Sequence, residues 1–213
     1  MRALVVVAHP DDAEFCAAGT IGRWTDGGAE VVYCVITDGA AGGAASVRRA
    51  EQRAAAKVTG VGDVRFLGYP DGELEVSGAL RQDLSRVIRE LRPDRVVMHS
   101  PEINWSRLPD AHPDHRSAGE TTLRAIYPDA RNPLLHNDPW TVPETWLIMS
   151  PRPDHFVDIT DVFDRKILAL EEHRSQVGPG VRELVRGWMA EHARQAGLPD
   201  GRLAEAFQVV RTA

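Results

Sequence analysis

Leu4-Val5-Val6-Val7-Ala8-His9-Pro10-Asp11-Asp12 passes in a single step from an unbroken apolar run to an imidazole and two carboxylates. A short apolar run without polar alternation is what a strand buried on both faces requires. The start of the chain looks superficially like a signal peptide. The apolar stretch is too short for that, however, and His9-Pro10-Asp11-Asp12 follows with no small-residue cleavage pattern. It is read as a buried strand with a polar loop at its carboxyl end.

The same rhythm continues outward from this strand. Residues 14–26 have helical character, and 30–36 form a second Val-rich strand. Residues 46–59 read as a helix with Ser46 as N-cap and Gly60 just past its end. A third strand is expected at 64–67, a helix at 77–91 ended by Arg92-Pro93, and a fourth strand at 95–99. Such alternation of strands and helices implies an α/β, Rossmann-like fold, with a mainly parallel sheet, helices on both faces and right-handed crossovers. Beyond residue 99 the rhythm loosens. Proline-containing stretches at 100–115 and 128–143 read as irregular. Strands at 145–149 and 155–157, helices at 161–173 and 180–196, and a short strand at 207–210 complete the pattern. With no internal repeat and no low-complexity linker, residues 1–213 read as a single domain.

Bulk properties narrow the function classes. The 213 residues carry a net charge of −6, against the basic balance of a dedicated nucleic-acid binder. Two cysteines, Cys16 and Cys34, exclude a disulfide-stapled scaffold and read as buried thiols. No apolar run is long enough to span a bilayer, so the cytoplasm is the expected compartment.

In open α/β sheets ligands bind beyond the carboxyl ends of the strands. His9 to Asp12 follow the first strand, Thr37-Asp38-Gly39 the second, Gly68 to Gly72 the third, and His112-Pro113-Asp114-His115 the fourth. All the polar clusters therefore meet at one edge. His9 and Asp12 can share a metal, and His115 can supply a third ligand. Two imidazoles, one carboxylate and an open position for water make a catalytic zinc arrangement; the same ligands also suit Fe(II) or Co(II). Asp11 is placed to take a proton from the water as general base. His112 is a candidate for stabilising the oxyanion or protonating the leaving amine, and Asp114 for orienting a histidine.

Ala8 to Glu14 resembles the AHPDDxE signature of the LmbE-like, or PIG-L, deacetylases, and His112 to His115 resembles their HPDH signature. Thr37-Asp38-Gly39, the Arg48/Glu51 pair, Phe66 to Leu74 and His173-Arg174-Ser175-Gln176 are similar to further family elements, so the resemblance covers nearly the whole chain. It implies zinc bound by His9, Asp12 and His115, Asp11 as base, and His112 as electrostatic or acid partner. It further implies that Arg48 reaches the substrate, an N-acetylglucosamine conjugate that loses its acetyl group. Asp71 is a second candidate for substrate contact, and Trp105 a candidate wall of a sugar pocket. His99 reads as a core histidine. The family's frequent Gly after the signature's Glu is replaced here by Cys16-Ala17-Ala18-Gly19. Relatives include monomers and homo-oligomers, and no interface stripe is legible.

Two other readings compete. Paired aspartates after a first strand also hold magnesium in phosphoryl-transfer folds, but the lysine such sites need is missing: Lys57 and Lys166 fall in helices. A metal- or nucleotide-binding Rossmann-like module without hydrolase activity is the alternative, yet no G-x-G-x-x-G follows the first strand.

Overall fold

The computed structural model describes residues 1–105 and 107–212, and Pro109 by its backbone alone. Five parallel strands form the core of the sheet: β1 (Arg2–Val7), β2 (Glu30–Thr37), β3 (Asp63–Tyr69), β4 (Arg95–His99) and β5 (Glu144–Ile148). β6 (His155–Asp158) and β7 (Ala204–Arg211) extend it, giving the order β3-β2-β1-β4-β5-β7-β6, with β7 antiparallel to both its neighbours. The mainly parallel sheet expected from the sequence is therefore present, with an antiparallel edge.

β1 shows why the sequence folds this way. Its alternate side chains enter two different cores. Leu4, Val6 and Ala8 face α3 (Gly78–Leu91) and α4 (Pro113–Arg124), where Leu80, Leu84 and Ile88 recur at one-turn spacing. Ala3, Val5 and Val7 face α1 (Asp12–Asp26), through Ala13, Ala17 and Ile21, and α2 (Ala45–Val58), through Ala56. Helices on both faces follow from a strand that is apolar on both. A third core joins α5 (Phe163–Glu171) to α6 (Val181–Gln195) through Phe163, Ile167, Val185 and Met189. Among the described residues no helix is long and apolar enough to cross a membrane.

From β1 the chain builds outward to β2 and β3. It then returns over α3 to β4 on the other side of β1. The direction of winding reverses between β1 and β4, and a crevice opens at their carboxyl ends, where α/β sheets bind ligands.

Three expectations are corrected. Ser46 is not the N-cap of α2: the helix starts at Ala45, after Ala44, without a side-chain cap. The loop expected through residue 115 ends earlier. His112 caps α4 by accepting the Asp114 N–H on Nδ1, and Pro113 occupies the first turn. Proline there begins a helix, because its missing N–H would have been unpaired anyway. The last strand is eight residues long instead of four. Its start was masked by Glu205, a charged residue that is fully buried because Lys166 Nζ lies 2.7 Å from it and the Gly19 and Thr20 N–H groups donate to it.

Candidate functional site

Three side chains converge in the crevice between β1 and β4. His9 Nδ1 lies 3.2 Å from His115 Nε2 and 3.6 Å from Asp12 Oδ2. His115 Nε2 lies 3.2 Å from Asp12 Oδ1. Donors arranged tetrahedrally around a cation at about 2.1 Å sit about 3.4 Å from one another. The separations here are of that size, reaching Asp12 through both its oxygens, and the two imidazoles and carboxylate form a set that suits a divalent transition metal. His112 stands at the rim, its ring centroid 5.0 Å from that of His9 and 5.2 Å from that of His115.

Outer partners fix these donors. His9 Nε2 faces Asp71 Oδ1 at 3.0 Å and Asp114 Oδ2 at 3.1 Å. A hydrogen on Nε2 serves those carboxylates and leaves the Nδ1 lone pair for a metal. Asp114 is itself held by the backbone N–H groups of Gly72 and Leu74, and Asp71 by that of Ala41. Asp114, the candidate for orienting a histidine, and Asp71 thus both face the His9 ring. His99, read from sequence as a core histidine, is part of the site. Its Nε2 lies 3.1 Å from Asp12 Oδ2, and its ring stacks on His115 with centroids 4.2 Å apart. Gly119 lets α4 come this close: a Cβ there would meet the His99 carbonyl oxygen at 2.6 Å. The signal in the sequence was its position, last in β4 at the switch point.

Asp11 has φ 97°, a left-handed conformation unusual for a non-glycine residue. Its N–H donates to Gln52 Oε1 at 3.0 Å, and Gln52 Nε2 donates to both Glu14 oxygens. Glu14 in turn meets His173 Nε2 at 3.2 Å. Arg48 closes the other side: its Nη2 donates to the Pro10 carbonyl at 2.7 Å and approaches Asp11 Oδ2 at 3.4 Å. Only 4% exposed, Arg48 clamps the loop that carries Asp11 instead of reaching outward. Glu51 does not pair with Arg48; it accepts from the Ser175 N–H and hydroxyl, while Gln176 donates to the Gly42 carbonyl. The His173–Gln176 turn is thereby tied to the back of the site. Trp105 is 80% exposed on the loop after β4.

A family model described as GlcNAc-PI de-N-acetylase matches residues 4–126, which span both histidine clusters. The chain belongs to the PIG-L (LmbE-like) family. Diacetylchitobiose deacetylase of Thermococcus kodakarensis is 32% identical over 98% of this chain and 83% of its own. The 1D-myo-inositol 2-acetamido-2-deoxy-alpha-D-glucopyranoside deacetylase of Thermobifida fusca is 28% identical over 71% of this chain and 63% of its own. Among solved structures, N,N'-diacetylchitobiose deacetylase of Pyrococcus horikoshii superposes with a TM-score of 0.89 at 28% identity, covering 99% of this chain and 84% of that one.

Charge in this PIG-L site is set by burial and by four carboxylates. Burial alone would lower the His9 pKa, but the hydrogen bond and charge of Asp12, with Asp71 and Asp114, push it up to about 9. His115 is also raised, Asp12 overcoming its burial. Asp12 stays well below the usual carboxylate range, because His115 and His99 outweigh the cost of burying it. His99 is pushed down to about 4 by burial and by His115. Asp11 is pushed up to about 7 by burial and the charge of Asp12, with His173 and Arg48 opposing. Burial, then His9 and His115, lower His112, so that it is neutral near pH 7.

Proposed function

We propose that the protein is a zinc-dependent amidohydrolase that removes an N-acetyl group from an N-acetylglucosamine-type sugar or conjugate. The cluster of His9, Asp12 and His115, with His112 at its rim and Asp11 next to Asp12 in the switch-point crevice, carries this reading. The deacetylase names of the relatives support the substrate class.

His9, Asp12 and His115 would hold the metal. A divalent cation there supplies Lewis acidity, acidifying water and polarising a carbonyl. Zinc is the first choice for this donor set, and Fe(II) or Co(II) fit it as well. Asp11 is the general base: it can take a proton from the attacking water and hand it to the leaving amine. Its strained turn is held by Gln52 and Arg48, with its carboxylate 3.4 Å from Arg48 Nη2. His112 accepts the Asp114 N–H on Nδ1, so its proton sits on Nε2. A neutral Nε2–H donor at the rim can hydrogen-bond to the oxygen that gains charge as the amide carbonyl becomes tetrahedral. His112 thus acts as a neutral donor; the charged acid considered from sequence is the less suited form. Asp114, Asp71 and His99 keep the donors in place, and Arg48 keeps Asp11 in place.

Phosphoryl transfer finds no support. Lys166 is fully buried and paired with Glu205, and Lys57 points to solvent from α2. The test is acetate release from N-acetylglucosamine and its conjugates by zinc-loaded protein, wild type beside Asp11→Asn. Loss of about 10²–10⁴-fold in turnover with metal retained is expected of a general base. Equal turnover in the two proteins would remove Asp11 from the mechanism.

A further inference from the structure

Arg107 stands in the loop between β4 and α4, five residues before His112, and is committed in two directions. Its guanidinium lies 4.2 Å over the ring of Trp188 on α6, and its Nε pairs with Asp110 Oδ1 at 2.9 Å. A guanidinium within about 6 Å of a ring centroid is attracted by the ring's quadrupole, and indole is the strongest such partner. Asp110 also accepts from Asn104 Nδ2 at 3.5 Å, and its N–H donates to the Arg107 carbonyl at 3.1 Å. Leu108–Ala111 thereby wind into a short helical turn, and the residue that ends it is His112.

Trp188 carries the link inward. It packs with Phe15, the ring centroids 6.2 Å apart, and Phe15 lies three residues after Asp12 on α1. Asp110, Arg107, Trp188 and Phe15 therefore tie the loop that ends in His112 to the helix that begins with the metal donor Asp12. The rest of the loop has little to rest on. A cavity of about 300 Å³ separates it from α6, with Asn104, Arg107 and Asp110 on one wall and Met189 and His192 on the other. Trp105 and Leu108 are 80% and 66% exposed. The pair of Glu102 with Arg152 anchors the start of the loop, and the Asp114 N–H holds the His112 ring through Nδ1. A segment between two such points with few buried apolar contacts opens at low cost.

We infer that Arg107 is a positioning residue for the hydrolysis: held by Trp188 and Asp110, it latches the β4–α4 loop to α6 and so sets where His112 Nε2 stands relative to His9, Asp12 and His115. The inference rests on the oxyanion-donor role proposed for His112 and deepens it by naming what holds that donor from the upstream side. The Asp114 N–H fixes the tilt of the imidazole; the latch fixes the backbone that carries it. A donor must come within about 2.7–3.1 Å of the developing oxyanion, so a loop shift of about 1 Å forfeits much of its effect.

The test measures kcat and KM for acetate release from N-acetylglucosamine by the zinc-loaded full chain, with metal content and thermal melts on the same samples. Arg107→Met keeps the apolar stem and removes the charge; kcat should fall about tenfold with KM within about twofold. Arg107→Lys, which restores a cation over the ring, should recover part of kcat. Trp188→Leu should reproduce the loss, and Trp188→Phe should spare most of it. The deciding comparison is the His112→Ala background, where Arg107→Met should lower kcat no further, because the donor it positions is gone. An equal loss in both backgrounds overturns the proposal, since Arg107 would then not act through His112. So does kcat within about twofold of wild type in Arg107→Met, or a raised KM at unchanged kcat, which would make Arg107 a substrate contact. If wild type hydrolyses no N-acyl amino sugar, the amidohydrolase reading fails by itself, and hydrogen exchange decides the latch. Amides of Arg107, Leu108, Asp110 and Ala111 exchanging at least about tenfold faster in the Met variant sustain it, and unchanged exchange overturns it.

Discussion

Gln52→Leu should separate the positioning of Asp11 from the stability of the fold. Gln52 is fully buried. Its Oε1 accepts the Asp11 N–H at 3.0 Å, and its Nε2 reaches Glu14 at 3.0 and 3.1 Å. Leucine removes both links. The buried Asp11 N–H loses its partner, at about 1–3 kcal/mol, and the Glu14 carboxylate loses a charge-assisted bond of about 1.5–3 kcal/mol. Holding Asp11 at φ 97° itself costs about 1–3 kcal/mol, and this link helps enforce it. Relaxation of the turn offsets part of the loss, leaving a net destabilisation of about 3 kcal/mol. For a chain of this size that lowers Tm by roughly 6–12 °C. The functional effect should be larger. Relaxation towards negative φ swings the carboxylate by an ångström or more, and a misplacement of about 1 Å can cost about 10²-fold in rate. His9, Asp12 and His115 keep their other partners, so metal content and KM should hold while kcat falls. Gln52→Glu retains an acceptor for the Asp11 N–H and should keep more of kcat than leucine, although its charge repels Glu14. The assay is steady-state acetate release beside metal analysis and thermal melts. A Gln52→Leu protein with lowered Tm and kcat within about threefold of wild type would refute the positioning argument.

Three other outcomes follow from the same geometry. Lys166→Met leaves Glu205 buried without its cation and orphans the Glu14 and Phe15 carbonyls that accept from Nζ at 2.8 Å, so denaturant titration should show a loss of about 3–5 kcal/mol; a loss under 1 kcal/mol would contradict it. His99→Leu removes the buried partner of Asp12 and should weaken metal binding about 10–100-fold in competition with a chelator, where unchanged affinity would show that His99 only fills space. His9 in the metal-free protein has its pKa raised to about 9, so its folded-state contribution is fully present below its ordinary value near 6.5 and is lost as pH rises through about 9. A metal must displace that proton; uptake at pH 7 should release at least one proton and tighten as pH rises, and calorimetry in buffers of different ionisation enthalpy would expose proton-neutral binding.

The parts legible in the sequence were those with a local physical signature. β1 was visible because an apolar run ends in His9-Pro10-Asp11-Asp12, and β4 because its bounds coincide with Arg95 to His99. His9, Asp12 and His115 could be put forward as metal donors because their residue types suit a metal and they follow strand ends on one edge of the sheet. What stayed hidden depends on contacts distant in sequence. Gln52 supports Asp11 from 41 residues away, and His173 meets Glu14 from 159. No periodicity encodes such pairs. Arg48 was expected at the substrate from the family resemblance, but packing of α2 turned it inward to the Pro10 carbonyl. Asp71 was taken for a substrate contact and in the fold serves His9, since the β3 loop passes behind the β1 loop. α4 was missed because proline reads as a breaker until His112 is seen to cap the helix.

The most direct test of the account is the metal content of purified wild type beside His115→Ala, with acetate release measured on the same samples. His115 Nε2 is 3.2 Å from both His9 Nδ1 and Asp12 Oδ1, so its loss opens the cluster. About one zinc per chain and hydrolysis in wild type, both lost in the variant, is the predicted result. A wild type that takes up neither zinc nor iron(II) and releases no acetate, or a His115→Ala protein that keeps metal and full activity, would contradict the claim that these three residues form a catalytic metal site.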